Sequence, residues 1–166
     1  MRVIAGEAKG RKLATVPGNT TRPITDRVKE SLFNILGDRV EGAHFLDLFA
    51  GTGSVGIEAL SRGAAEATFV EREERAIRVI KANLRSTGLA DRARVVRRDV
   101  FKFLSSGEGT TYDLIYVAPP QYRGLWAKTL RALDGRGILA DDGLVIVQIY
   151  PKEYEDLPLA HLAVRD

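Results

Sequence analysis

The chain of 166 residues has no cysteine and only two histidines, His44 and His161. Without thiols there is no disulfide framework and no thiolate metal site, and two imidazoles alone are a poor basis for a metal centre. No metal is expected. No run approaches the roughly 18 apolar residues that span a membrane, and the opening "MRVIAGEAKGRKL" lacks the apolar core of a signal peptide. A cytoplasmic protein with no membrane partner is expected. Internal repeats and low-complexity segments are absent too.

What is present is ordinary for a globular protein: 45% hydrophobic and 28% charged residues, enough for one domain with one sizeable core. The expectation is a single domain over residues 1–166, with a basic N-terminal arm over 1–20 and a body over 21–166. The net charge of +3 is unevenly placed. Residues 1–40 hold eight Arg or Lys against four acids, a balance of +4, so the remainder of the chain sums to −1. A near-neutral body with a basic arm suits a polyanionic partner, because cations that neutralise phosphates release condensed counterions. The plainer alternative is a solvated basic face.

Along the chain, "RVIA" and "KLATV" read as two strands of a hairpin around the turn "GEAKGR". Thr25 or Asp26 can cap a helix whose apolar positions Val28, Leu32, Ile35 and Leu36 recur at helical spacing before Gly37. The pattern then alternates. "HFLDLFA", "ATFVE", "ARVVR", "YDLIYVA" and "GLVIVQIY" read as strands, and "SVGIEALSRG", "EERAIRVIKANLRSTG", "VFKFL" and "GLWAKTLRAL" as the intervening helices. Such alternation predicts an α/β fold with a mostly parallel sheet covered by helices on both faces. "LPLAHLAVRD" is a candidate sixth strand.

The strongest local signal is "FLDLFAGTGSVGIEAL", where Gly51, Gly53 and Gly56 satisfy G-x-G-x-x-G between a strand and a helix. Small residues there let backbone N–H groups face a ligand. Glu71 ends the next strand and suits ribose hydroxyls. A dinucleotide would fit these features equally well. Asp47, inside the strand before the loop, favours a ligand carrying an ammonium and a sulfonium over a pyrophosphate. S-adenosylmethionine has both. Asp99 after the third strand can accept from an adenine amine while the Val100 N–H meets a ring nitrogen, and Phe49 and Arg72 flank the same strand ends. Each acid has a plainer alternative, Asp47 satisfying loop donors and Asp99 capping a helix.

The blocks "RVIAGEAKGRKL", "TRPITDRVKESLFNIL", "FLDLFAGTGSVGIEALSRGA" and "YDLIYVAPPQY" together resemble the bacterial small-subunit ribosomal RNA guanine-N2 methyltransferases, over roughly residues 1–150. The resemblance implies a Rossmann-like methyltransferase fold, S-adenosylmethionine as donor and small-subunit ribosomal RNA, naked or in an assembling subunit, as partner. In that family the fourth strand ends in Asp-Pro-Pro followed by Tyr or Phe. Here the positions read Ala118, Pro119, Pro120 and Gln121, with Tyr122 one step later. Relatives continue past Asp166 with a further antiparallel strand, so a missing C-terminal strand is expected.

Guanine N2 is a weak nucleophile whose lone pair is delocalised, so acceptors at its hydrogens and accurate positioning carry the catalysis. Ala118 removes a side-chain acceptor and leaves the carbonyls of Ala118 and Pro119, on backbone stiffened by Pro119-Pro120. Gln121 can add an amide oxygen and Tyr122 a stacking surface for a flipped base, although Tyr122 also reads as a surface residue. Arg2, Lys9, Arg11, Lys12, Arg22 and Arg27 are the candidate phosphate contacts. The last two compete with a second role beside the donor's carboxylate at the helix start. Other readings are a DNA adenine-N6 methyltransferase, a non-catalytic RNA-binding or assembly factor that keeps cofactor affinity, a catalytically dead enzyme, and, weakly, a nicotinamide enzyme. A monomer is expected.

Overall fold

Five parallel strands form one sheet in the order β3-β2-β1-β4-β5. They are β1 (His44–Leu48), β2 (Glu66–Glu71), β3 (Ala93–Arg97), β4 (Tyr112–Val117) and β5 (Leu139–Val147). The computed structural model describes residues 1–18, 23–106, 109–120 and 123–165. Among these residues five α-helices accompany the strands: α1 (Asp26–Leu36), α2 (Ser54–Ser61), α3 (Glu74–Thr87), α4 (Val100–Ser105) and α5 (Leu125–Leu133). The expected α/β architecture is therefore observed. Among the described residues no helix is long and apolar enough to cross a membrane.

Strand side chains alternate between two cores, as the two-residue repeat requires. Phe45, Phe69, Leu114 and Tyr116 face a core shared with the arm, α1, α2 and α3, where Phe33, Ile57, Leu60, Ile80 and Leu84 pack. Leu46, Val70, Ile115 and Val117 face a second core with Val100, Phe103, Leu104 and Leu133 from α4 and α5. The chain runs from β1 outward to β3, then crosses back to place β4 on the other side of β1. That reversal lies between β1 and β4, where ligands of open α/β sheets bind outside the strands' carboxyl ends.

The buried stripe of α1 differs from the one expected. Lys29, Phe33 and Leu36 face inward, whereas Val28 and Ile35 are 45% and 83% exposed. The inward spacing is still helical, but a lysine occupies one of its positions. Its ammonium is fully buried 3.3 Å from Glu58 Oε1 and donates to Arg2 O at 2.7 Å and Ser54 Oγ at 2.9 Å. Burial lowers the Lys29 pKa, and Glu58 opposes that shift.

The hairpin forms, but as a single antiparallel bridge between Arg2 and Lys12, flanked by Val3 N→Arg11 O at 2.9 Å and Leu13 N→Met1 O at 3.0 Å. It is short because α2 competes for its donors. Ile4 N–H and Ala5 N–H donate to the Glu58 carboxylate at 2.9 and 3.1 Å, and Ala8 N–H to Ser61 Oγ at 2.9 Å. Farther on, the Asn83 amide brackets Ala14 through both its N–H and its C=O. The arm is thus seated on α2 and α3.

β5 starts earlier than expected, because Tyr112 pairs with Leu139 before an irregularity brings Leu114 opposite Leu144. Residues 157–165 form no strand. Three successive N–H groups, of Ala160, His161 and Leu162, converge instead on the Asp134 carboxylate at 2.7 to 2.9 Å, leaving no ladder to form.

Gly6 marks the tightest contact of the arm: with φ +85°, a Cβ there would stand 1.9 Å from the Ser61 carbonyl oxygen. Gly10, at φ +84°, has nothing within 4 Å of such a Cβ. Gly6→Ala should therefore lower stability by about 1–3 kcal/mol more than Gly10→Ala, because only the first overpacks. Urea unfolding of the pair isolates the clash from the shared backbone strain, and equal midpoints would mean the arm is not held at Ser61.

Candidate active site

The carboxyl ends of β1, β2 and β3 are stitched into one rim. Gly51 N–H donates to Glu71 Oε1 at 3.0 Å, and Glu73 N–H to Glu71 Oε2 at 2.9 Å, so Glu71 ties the glycine loop to the end of β2. Arg72 Nη1 lies 3.9 Å from Asp99 Oδ1, linking the ends of β2 and β3. Asp99 Oδ2 caps α4 by accepting from Phe101 N–H at 3.0 Å and Lys102 N–H at 3.2 Å. The capping alternative for Asp99 is thus realised, and the Val100 N–H is left out of those bonds.

The loop itself is held from below. Gly53 caps α2, Asn83 Nδ2 donates to Thr52 O at 3.0 Å, and the Thr52 hydroxyl meets the Met1 sulfur at 4.0 Å. Gly56 has a packing role: a Cβ there would stand 2.4 Å from the Phe69 ring, so glycine lets α2 lie close on β2. Phe49 adopts φ 62°, a left-handed conformation that costs a bulky residue on the order of 1–3 kcal/mol and concentrates at ligand-binding turns. Its ring meets Phe101 edge-on at 6.5 Å, and Lys128 Nζ stands 4.0 Å over the Phe101 ring.

Asp47 is buried beneath this loop, 1% exposed, with Oδ2 accepting from Gly56 N–H at 3.1 Å. The carboxylate thus already serves a backbone donor of the protein, in the first turn of α2. Burial raises its pKa well above the ordinary carboxylate range, against the Gly56 hydrogen bond, and Glu71 adds to the rise.

β1 pairs β4 with Leu48 opposite Val117, so Phe49 and Ala118 leave the sheet side by side at the chain reversal. Ala118 is half-buried and Pro119 buried, with Pro120 intermediate. Val117 O accepts from Gln148 N–H at 2.9 Å, whereas the carbonyls of Ala118 and Pro119 accept no hydrogen bond among the described residues. Gln121 and Tyr122, expected to complete the motif, lie outside the described residues, as does Arg22.

The cationic candidates separate. Lys9, Arg11, Lys12 and Arg27 are exposed, while Arg2 is drawn toward Asp26 by its backbone N–H at 3.2 Å and its Nε at 3.8 Å. Lys29, one of the cations in the first 40 residues, is withdrawn into the core. Sequence reasoning missed a further cationic face: Arg75, Arg78, Lys81 and Arg85 are exposed on α3, and Arg11 Nη1 reaches Ser86 O at 3.5 Å. Their helical spacing was the available signal. At the opposite, amino edge of the strands a shallow depression is lined by Asp38, Arg39, Glu41, Asp113 and Asp142, an acidic wall remote from the rim.

The chain matches the protein family described as "Conserved hypothetical protein 95" over residues 1–163. It is similar to Ribosomal RNA small subunit methyltransferase D of Escherichia coli (strain K12), with 42% identity over 148 residues, 89% of this chain and 74% of that protein. A solved hypothetical protein of Thermus thermophilus superposes with a TM-score of 0.83 at 36% identity, covering 99% of this chain and 94% of that one. An Agrobacterium tumefaciens SAM-dependent methyltransferase superposes with a TM-score of 0.62 at 28% identity, covering 75% of this chain and 44% of that one.

Because folding raises the Asp47 pKa, the folded state holds that proton more tightly than the unfolded chain. Its contribution to stability is full below the ordinary carboxylate pKa and is lost as pH rises from there. Asp47→Asn keeps an oxygen for Gly56 N–H and does not ionise. Its stability relative to wild type should therefore climb as pH rises above about 4, followed by thermal melting. A wild type that gains on the variant with rising pH would mean that the folded state favours the ionised carboxylate.

Proposed function

The chain belongs to the conserved hypothetical protein 95 family, with the small-subunit ribosomal RNA methyltransferase D proteins among its relatives, and on that premise we propose that it methylates the exocyclic N2 amine of a guanine in small-subunit ribosomal RNA. That it is an S-adenosylmethionine-dependent methyltransferase acting on ribosomal RNA follows from the family. The choice of guanine N2 rests on the end of β4.

The rim fits the donor. Gly51 and Gly53 bring the backbone close at the start of α2, and Glu71 keeps lone pairs for ribose hydroxyls beyond those spent on Gly51 and Glu73. Asp99 and the Val100 N–H suit an adenine edge, and Phe49 and Arg72 flank it. Asp47 supplies a carboxyl beneath the loop whose ionisation a cationic ligand favours. When bound, S-adenosylmethionine supplies an electrophilic methyl group on a sulfonium. The part left to this chain's residues is positioning. They hold the amine's hydrogens on fixed acceptors so that its lone pair is free to face that methyl.

The observation that carries the reading is the pair of carbonyls, Ala118 and Pro119, that accept no hydrogen bond among the described residues and lie at the chain reversal where β4 leaves the sheet beside Phe49. They offer two acceptors without the carboxylate of the family's motif. Against a DNA adenine target stands the arm, whose sequence follows the ribosomal RNA enzymes. With Glu58 holding it to α2, the arm and the body act as one domain, and the exposed Lys9, Arg11, Lys12 and Arg27 serve RNA phosphates.

Incubation with labelled S-adenosylmethionine and small-subunit RNA, naked or in assembling particles, should yield N2-methylguanosine on digestion. N6-methyladenosine would move the acceptor, and cofactor binding without transfer would favour the assembly-factor reading. Lys9→Ala with Lys12→Ala should flatten the slope of log K against log salt for RNA by about 1.4 to 1.8, while S-adenosylmethionine affinity holds. An unaltered slope would return both lysines to a solvated face.

A further inference from the structure

Ala118 leaves the end of β4 without a side-chain hydrogen-bonding group, yet an amide from the neighbouring strand reaches the same place. β4 and β5 pair in parallel with Val117 opposite Val147. Gln148 N–H extends the ladder one step by donating to Val117 O at 2.9 Å, which sets Gln148 alongside Ala118. Residues two apart on a strand share a face, and both Tyr116 and Ala118 pack on the arm-side core. The Tyr116 hydroxyl donates to Gln148 Oε1, so the amide is drawn onto that face.

The orientation of the amide follows from its partner. Burial, with Asp47 adding to it, pushes the Tyr116 pKa well up, so the phenol keeps its proton and holds the amide oxygen. The amide nitrogen lies on the other branch of the planar group and has no partner among the described residues. Gln148 is half-buried, so this donor sits at the carboxyl edge of the sheet, one strand away from Ala118 and Pro119. The ends of β4 and β5 thus offer carbonyl acceptors and an amide donor on one edge of the sheet.

Resting on the reading that guanine N2 is the acceptor, we propose that Gln148 is a substrate-binding residue whose amide N–H donates to guanine N3, while the Ala118 and Pro119 carbonyls take the N2 hydrogens. Guanine's sugar edge presents the complement: amine hydrogens on N2 and a lone pair on the adjacent ring nitrogen. A site of carbonyls alone grips the amine but leaves the base free to swing about it. One donor on N3 fixes the in-plane angle. Tyr116 acts through Gln148 and is a positioning residue.

The test is single-turnover methyl transfer to small-subunit RNA, with S-adenosylmethionine affinity and melting temperature measured alongside. Gln148→Ala should slow transfer about ten- to a hundredfold, the cost of leaving a buried acceptor of the base unmade, with donor affinity unchanged. Gln148→Glu, of the same shape but lacking the donor, should lose as much, which separates hydrogen bonding from folding. Tyr116→Phe should lose less, and in combination with Gln148→Ala should add nothing, because the two act as one unit. A Gln148→Ala rate within about twofold of an active wild type overturns the assignment, as does a fully active Gln148→Glu variant. An inert wild type refutes the methyl-transfer reading itself, and the role of Gln148 falls with it.

Discussion

The buried carboxylate of Glu58 is the point from which one half of the molecule is organised. It receives the N–H groups of Ile4 and Ala5, the Lys29 ammonium and, at 2.7 Å, Arg62 Nε. Two fully buried charges carry a large desolvation penalty, and only such a complete set of donors offsets it. Leaving either charge alone would cost about 3–5 kcal/mol. The return is geometric: the arm, α1 and the first turn of α2 are locked together, since Lys29 also bonds Ser54 at the start of that helix. The exposed cations of the arm therefore keep a constant register to the glycine loop, as the proposed RNA contact requires.

At the rim the acids proposed to meet the donor already hold the backbone around them. Glu71, Asp99 and Asp47 each commit an oxygen to a backbone N–H. A carboxylate has lone pairs to spare, so these bonds are compatible with a bound nucleoside and spare it the cost of ordering the loop. Phe49, in its left-handed conformation, shows that the surrounding contacts outweigh a locally unfavourable backbone.

Much of this was legible in the chain as written. Strand and helix alternation, the glycine loop and the acids at strand ends are local patterns, and each fell where its period or spacing indicated. What escaped were meetings set by tertiary register. Lys29 sits on the apolar stripe of α1, and hydropathy counts a lysine there as a break in the stripe; only Glu58, on another helix, makes it a core residue. Gln148 and Tyr116 meet because an irregularity between Tyr112 and Leu114 shifts the β4–β5 pairing, and nothing in either segment announces that shift. The C-terminal segment looked like a strand by composition, yet Asp134 captures its N–H groups.

The seating of Met1 has a practical consequence. Its carbonyl accepts from Leu13 N–H at 3.0 Å, and its sulfur meets the Thr52 hydroxyl within the glycine loop. An affinity tag fused ahead of Met1 would therefore press on the seat of the arm and on the contact that supports that loop from below. Purification handles and fluorophores for binding work therefore belong on surfaces away from this end, and material carrying an N-terminal fusion should be compared with cleaved protein before its cofactor affinity is interpreted.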